Sequence, residues 1–247
     1  MLNNILSQID DLQKQINKHR PLKTQEVSQL KEYFRIGCTY SSNALEGNSL
    51  TEAETKVVIE DGITIGGKPL KDHYEAIGHS EAFNLIYEMA KKKIITERQI
   101  NKLHHAFYYR IDEANAGKYR KIRVFISGTE FVPPIPAKIP ALMKAFVKQV
   151  PMLRKTHHPV EFAALLHKEL VAIHLYADGN GRTARLLMNL ALMQEGYVVT
   201  IIPPVLRRQY ISAIVKGQVA PKDDKPFIAL VANAVIETQK DYLRLLK

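Results

Sequence analysis

The apolar residues of this chain recur mostly at spacings of three and four, which is the repeat of one face of an α-helix. The first apolar stripe consists of Leu2, Ile5, Ile9, Leu12 and Ile16. Further segments with helical periodicity are 139–155, 159–174, 182–195, 204–217 and 225–245. Because this repeat runs through most of the chain, the sequence predicts a mainly α-helical fold.

Residues that cap helices stand at the expected starts of several helices. Thr51 and Glu54 form a capping-box pattern, in which each side chain satisfies a free backbone N–H at the start of the helix. Thr24 and Asp72 are expected to cap the helices that follow them. Gly47 suits the left-handed position that ends a helix.

One segment departs from the helical repeat. In YRKIRVFISGTEFVPPIP, residues 119–136, β-branched and aromatic side chains flank Ser127-Gly128-Thr129, and prolines follow. This composition predicts a short β-hairpin with a proline-stiffened exit. Since the sequence shows no repeat, low-complexity tract or linker, we expect one compact unit.

Composition narrows the class of protein. A hydrophobic share of 46% and a charged share of 24% are ordinary for a globular protein. The single Cys38 excludes a disulfide within one chain and is typical of a reducing compartment. With no targeting pattern and no apolar run of about eighteen residues, we expect a cytoplasmic protein without a membrane partner. The net charge of +10 favours phosphate-bearing partners.

The stretch HLYADGNGRTAR, residues 174–185, carries the strongest chemical signal. Its GNGRTA part matches the G-x-G-x-x-A dinucleotide fingerprint, but both flanks have helical periodicity, and that fingerprint needs strands. A plain turn explains the glycines but not Arg185. The helix predicted over 184–193 is apolar almost all round, so an arginine at its start would be desolvated unless an anion meets it.

The residues of this stretch have the properties of an anion site. Gly179 and Gly181 allow a tight turn and a close approach of backbone N–H groups to a ligand. Those N–H groups begin a helix, where the helix dipole favours negative charge. Arg182 and Arg185, three residues apart, lie on one helix face and can hold the oxygens of a polyphosphate.

Two further side chains suit phosphoryl chemistry. Asp178 is a hard oxygen ligand for Mg²⁺ held between a carboxylate and phosphates. His174 is a candidate general base. Together these residue types suit transfer of a nucleotide's phosphorus centre to a hydroxyl.

This stretch resembles the signature of the Fic family, written HxFx(D/E)GNGRxxR. Three flanking features agree with that signature. They are the stretch RLLMNLALMQEGY that begins at its last residue, an II-P followed by R-x-x-Y from Arg207 to Tyr210, and upstream GKYR with the hairpin at 117–136. The resemblance covers roughly residues 70–220. It departs at Tyr176, where the family usually has Phe, and a buried Tyr needs a partner for its hydroxyl.

The resemblance implies a Fic-type helical domain with a central helix–loop–helix active site and one β-hairpin flap. We expect N-terminal helices in 1–68, the catalytic core in 69–220, and a C-terminal helix in 221–247 that packs on the core.

The resemblance also implies transfer of AMP from ATP to a Ser, Thr or Tyr hydroxyl of a target protein or of the chain itself. His174 would deprotonate the hydroxyl, and Asp178 would hold Mg²⁺ or Mn²⁺. The nucleotide would be bound by Gly179, Asn180, Gly181, Arg182 and Arg185. The flap that docks the target would comprise Val124, Phe125, Ile126, Ser127 and Gly128. Tyr210 is a candidate for a wall of the adenine pocket, with a packing role as the alternative.

A second motif, SNALEGN at residues 42–48, matches the inhibitory pattern (S/T)xxxE(G/N) of the same family. In this interpretation Ser42 and Glu46 belong to an inhibitory helix, and Glu46 pairs with Arg185 where the γ-phosphate would bind. In some relatives the same glutamate positions a water that removes AMP, and the sequence does not separate the two roles.

Three functions stay open at this point. The first is a self-inhibited adenylyltransferase, which would be free to form a homodimer. The second is a de-AMPylase or another nucleotidyl- or phosphate-group transferase that uses the same site. The third is a non-catalytic nucleic-acid-binding regulator, which the net charge of +10 favours. Because His174, Asp178, Asn180 and both arginines of the motif are all present, we expect an enzyme. Since no winged-helix segment is recognisable after residue 220, we expect no nucleic-acid partner.

Overall fold

The computed structural model describes residues 2–126 and 129–246, which are largely helical. The α-helices are α1 (Leu2–Lys18), α2 (Thr24–Ala44), α3 (Glu52–Glu60), α4 (Leu70–Ala90), α5 (Glu97–Tyr108), α6 (Ile139–Thr156), α7 (Pro159–Ile173), α8 (Asn180–Gln194), α9 (Arg207–Gln218) and α10 (Lys225–Leu245). Single 3₁₀ turns precede α6 and α9. The predicted mainly α-helical fold is confirmed.

Helix α8 forms the centre of the core. It packs against α7, α4 and α5, while α10 lies against α7 and α1 against α10. Leu187 and Leu190 on α8 are fully buried, and burial of such a side chain contributes about 1.5–3 kcal/mol relative to exposure. Apolar packing therefore anchors α8 in the core.

Two glycines fix the ends of α8. Gly179 precedes the helix with a φ of +77°, and Gly196 follows it with a φ of +84°. These left-handed conformations cost glycine little, because it has no Cβ. At Gly179 a Cβ would also come within 2.8 Å of the Phe107 ring, so both the backbone and the space require glycine.

Helix α2 carries the SNALEGN motif into the middle of the molecule. It packs against α3, α4 and α8. The chain turns away just after α2, at Gly47, whose φ is +95°, as the sequence predicted. The motif therefore ends beside the start of α8, as the contacts of Glu46 described below show. None of the helices in the described part of the chain is long and apolar enough to cross a membrane.

The predicted β-hairpin is not formed between the residues that the structure describes. Residues 121–126 and 129–135 show no strand pairing, and Pro133 and Pro134 have no N–H to contribute to a ladder. Phe125 is 83% exposed, while Val124 and Ile126 are half-buried. Two residues of the expected flap, Ser127 and Gly128, lie outside the described residues.

Candidate active site

The loop between α7 and α8 begins with His174 in a left-handed conformation, with φ 50° and ψ 58°. A residue with a Cβ adopts this conformation rarely, and such residues cluster at functional sites. Burial lowers the pKa of the His174 imidazole to about 4, and the positive charge of Arg120 acts in the same direction. The imidazole is therefore neutral near pH 7 and able to accept a proton.

Asp178 lies four residues further on, and 42% of its side chain is exposed. Its Oδ1 accepts hydrogen bonds from the backbone N–H of Gly179 (2.6 Å) and from Nη2 of Arg182 (3.2 Å). Burial alone would raise the pKa of this carboxyl, but Arg182, the Gly179 N–H and Lys71 outweigh it and keep the pKa below its usual value. The carboxylate is ionised, and Oδ2 lies 3.5 Å from Nζ of Lys71.

Arg182 lies on the first turn of α8 and is 3% exposed. Besides Asp178, its guanidinium pairs with Glu75, with 2.7 Å between Nη1 and Oε1. It also lies over the Phe107 ring, 4.5 Å from the centroid. Glu75, on α4, was not predicted as a site residue, because it lies far from the motif in sequence.

Asn180 supports the loop from within. Its side-chain Nδ2 donates to the backbone O of Tyr176 and its Oδ1 accepts from the backbone N of Tyr176, both at 2.9 Å. Oδ1 and Nδ2 of this amide are both bonded to the Tyr176 backbone, so the side chain supports the framework of the loop. Its expected contact with the nucleotide stays a prediction.

The Tyr176 side chain is clamped by α5. Its hydroxyl donates to Oδ1 of Asn101 at 2.7 Å, which supplies the partner that a buried Tyr requires. Its ring stacks on His104, with 3.6 Å between the centroids. His104 Nδ1 accepts from the backbone N of Gly117, so Nε2 carries the proton and donates to the backbone O of Asp178 at 3.1 Å. Sequence reasoning missed His104, for which no local pattern signals this role.

Arg185 is 4% exposed and makes four hydrogen bonds. Nε donates to Oγ of Ser42 (2.9 Å), and Nη2 donates to the backbone O of Ser42 (2.8 Å) and to Oε1 of Glu46 (2.7 Å). The fourth bond runs from Nη1 to the hydroxyl of Tyr210 (2.8 Å). Burial would raise the pKa of the Glu46 carboxyl, but the charge and hydrogen bond of Arg185 hold it below its usual value. The structure thus joins residues that are 139 or more positions apart in sequence.

Tyr210 is 4% exposed and lies behind Arg185. Its hydroxyl accepts from Nη1 of Arg185 and is also hydrogen-bonded to Nε2 of His167, each at 2.8 Å. The Tyr210 side chain thus packs against Arg185 and His167, which is compatible with the packing role that the sequence left as the alternative. Its place in an adenine pocket stays a prediction.

The geometry defines a class of protein: a helical domain in which a buried helix carries two buried arginines in its first turns and is preceded by a loop with a neutral histidine. The chain belongs to the Fic/DOC family, whose model matches residues 94–192. A protein adenylyltransferase Fic from Drosophila yakuba is 36% identical over 207 residues, which cover 83% of this chain and 41% of that protein. The chain thus spans about two fifths of the length of that curated relative.

Solved structures share the fold over almost the whole chain. Fic-1 of C. elegans (residues 134–508) superimposes with a TM-score of 0.87 at 27% identity, covering 98% of this chain and 71% of that one. A Fic-domain signalling protein from Bacteroides thetaiotaomicron gives a TM-score of 0.88 at 28% identity, covering 97% and 96%.

Proposed function

We propose that this chain is a self-inhibited protein adenylyltransferase that transfers AMP from ATP to a Ser, Thr or Tyr hydroxyl. The observation that carries the proposal is the neutral His174 in a loop that leads directly into the anion site at the start of α8. The name of the Drosophila relative supports the same activity. The acceptor is a target protein or the chain itself, and self-association into a homodimer is compatible with either. We place the activity in the cytoplasm, where the buried, free Cys38 stays reduced.

In this reaction His174 takes the proton of the acceptor hydroxyl. The hydroxyl oxygen then attacks the α-phosphorus, the bond from that phosphorus to the bridging oxygen breaks, and pyrophosphate leaves. The first N–H groups of α8 and the Arg182 guanidinium stabilise the negative charge of the phosphates. His174 can do this near neutral pH because its imidazole is unprotonated there.

Asp178 is the residue suited to hold Mg²⁺ or Mn²⁺. Its carboxylate is ionised and 42% exposed. Among the described residues no three His, Cys, Asp or Glu side chains form a metal cluster. One carboxylate completed by substrate phosphates is the usual arrangement for Mg²⁺. When bound, the ion would neutralise part of the phosphate charge.

Inhibition rests on Arg185. Glu46 uses the same Nη2 donor that an anionic phosphate oxygen would need, and Ser42 holds the guanidinium in place. We therefore propose that Glu46 competes with the γ-phosphate for this cation and that α2 belongs to the inhibitory class of N-terminal helices.

The test uses ATP labelled on either the α- or the γ-phosphate, with Mg²⁺, in the Glu46→Gly variant. Label from the α position should appear in protein, and label from the γ position should not. His174→Ala in the same background should abolish labelling while nucleotide binding persists. Transfer of γ-label would indicate a kinase-type reaction, and labelling that survives His174→Ala would exclude His174 as the base. Mass spectrometry identifies the modified residue, and light scattering reports the oligomeric state.

A further inference from the structure

Arg120 is a buried arginine that links three parts of the site. It is 5% exposed. Its Nε donates to the backbone O of His174 at 2.7 Å. Nη1 donates to the backbone O of Ile122 at 2.8 Å, and Nη2 donates to the backbone O of Pro134 at 2.5 Å. One side chain thus holds the base residue and both limbs of the flap segment, which we define as residues 121–126 and 129–135.

The charge of Arg120 has an unusual environment. In the described part of the chain no carboxylate forms an ion pair with it, and its side-chain hydrogen bonds go to carbonyl oxygens. Burial of a cation without a counter-ion is costly, and apolar packing would serve stability better. The fork of a guanidinium, however, fixes the relative positions of three acceptors, which no other side chain does.

The contact with Arg120 lies at a point where the backbone of His174 is in an unfavourable conformation. Its left-handed φ of 50° is unfavourable for a residue with a Cβ. The charged hydrogen bond to its carbonyl compensates for that cost. A second bond, from the backbone N of Arg120 to the backbone O of Leu175 at 3.0 Å, holds the next peptide of the loop. Without these contacts the loop can relax and the imidazole can turn away from the acceptor.

The flap segment offers exposed apolar side chains next to the site. Ile122 is 65% exposed, Phe125 83% and Val132 71%. Exposed apolar side chains of this size in one short segment are typical of a surface that a partner covers. Both limbs that carry them are attached through Arg120 to the carbonyl of the base.

We propose that Arg120 is a positioning residue that couples acceptor binding on the flap segment to the placement of His174. The proposal rests on the proposed function, in which His174 is the base. An acceptor that docks on either limb fixes the Ile122 or Pro134 carbonyl, and Arg120 transmits that restraint to His174. Nucleotide binding does not involve Arg120, because the anion site belongs to α8.

The test compares Arg120→Met and Arg120→Lys in the Glu46→Gly background. Met keeps the apolar stem and loses all donors, whereas Lys keeps the charge but cannot span three diverging carbonyls. At saturating ATP the rate of α-label incorporation should fall about tenfold to hundredfold in Arg120→Met, the range for lost hydrogen bonds to a charged group. The KM for ATP should stay within about twofold. Arg120→Lys should retain only a minor part of the rate of α-label incorporation measured with Arg120. Arg98→Met, which removes an exposed arginine from α5, should have no effect.

Hydrogen exchange supplies a readout that does not need activity. Arg120→Met and Arg120→Lys should each speed exchange in both limbs of the flap segment and in the 174–178 loop together, with α8 unchanged. An unchanged labelling rate, or faster exchange in only one of these places, would overturn the proposal. If the Glu46→Gly parent labels no better than its His174→Ala derivative, the proposed function fails, while the exchange measurement still decides whether Arg120 links the three segments.

Discussion

Replacement of Glu46 by Gly is the perturbation whose outcome the structure constrains most closely. Of the four hydrogen bonds that Arg185 makes, only one goes to Glu46. The two bonds to Ser42 and the one to Tyr210 remain in the variant. The guanidinium should therefore keep its place, and one of its N–H groups becomes free for a phosphate oxygen.

The size of the effect follows from that single bond. A hydrogen bond between charged groups contributes about 1.5–3 kcal/mol. Because 35% of the Glu46 side chain is exposed, solvent screening reduces this to the lower part of the range, about 1.5–2 kcal/mol. That free energy corresponds to a rise of about 10- to 30-fold in productive nucleotide binding. Glu46→Gln keeps the volume and one carbonyl oxygen but loses the charge, so its effect should fall between those of the native chain and Glu46→Gly.

The assay is the initial rate of α-label incorporation as a function of ATP concentration for the native chain and both variants. Glu113→Gly is the matched control, because Glu113 is exposed and lies outside the site. The reasoning is refuted if Glu46→Gly raises the rate less than about threefold at low ATP while the protein remains folded. It is equally refuted if Glu113→Gly raises the rate as much.

Two further predictions concern stability. Tyr210→Phe leaves Nη1 of Arg185 and Nε2 of His167 without partners, so the free energy of unfolding measured in urea should fall by about 2–4 kcal/mol. A loss of ATP affinity with an unchanged free energy of unfolding would instead indicate that Tyr210 contacts the adenine. Burial holds the pKa of His79 at about 3 and that of His104 at about 4, and lowers the pKa of His167 well below its ordinary value of 6.5. The same holds for His174, whose pKa is about 4. The unfolded chain therefore binds more protons than the folded chain as the pH falls through 6.5. Stability, which is full well above that pH, should fall by about 5 kcal/mol between pH 7 and pH 5.5. A urea midpoint that is the same at both pH values would contradict this.

Helix positions follow from the sequence where local chemistry decides them. The predicted capping box of Thr51 and Glu54 is present at the start of α3, because both partners lie within one turn. The prediction for Thr24 is one residue off, since α2 begins at Thr24 and its N-cap is Lys23. The prediction for Asp72 is wrong: α4 begins earlier, and the carboxylate accepts instead from the backbone N and Oγ of Ser49. A tertiary partner outweighs the local propensity there.

The residues of the candidate site also fall into two groups, those that local sequence predicts and those that only tertiary contacts reveal. The residues of HLYADGNGRTAR could be predicted because their chemistry and spacing are contiguous. Glu75, His104 and Arg120 could not, since each acts through a contact that only the fold creates. His104 and Asp178 are 74 positions apart, and Arg120 and His174 are 54 apart. Nothing in their immediate neighbours distinguishes these side chains from ordinary polar residues, although GKYR belongs to the family pattern.

Gly181 lies where the inhibitory Glu46 side chain meets the first turn of α8, which is the proposed nucleotide site. A Cβ on this residue would lie 2.2 Å from Oε1 of Glu46. Its backbone is ordinary helix, so a larger residue at this position meets the Glu46 carboxylate and no conformational barrier. Any side chain at position 181 displaces the glutamate and at the same time fills the room beside the first turn of α8. A substitution on α8 at this point therefore changes inhibition and nucleotide binding together. Substitutions in the segment around Glu46, which follows α2, can change inhibition alone.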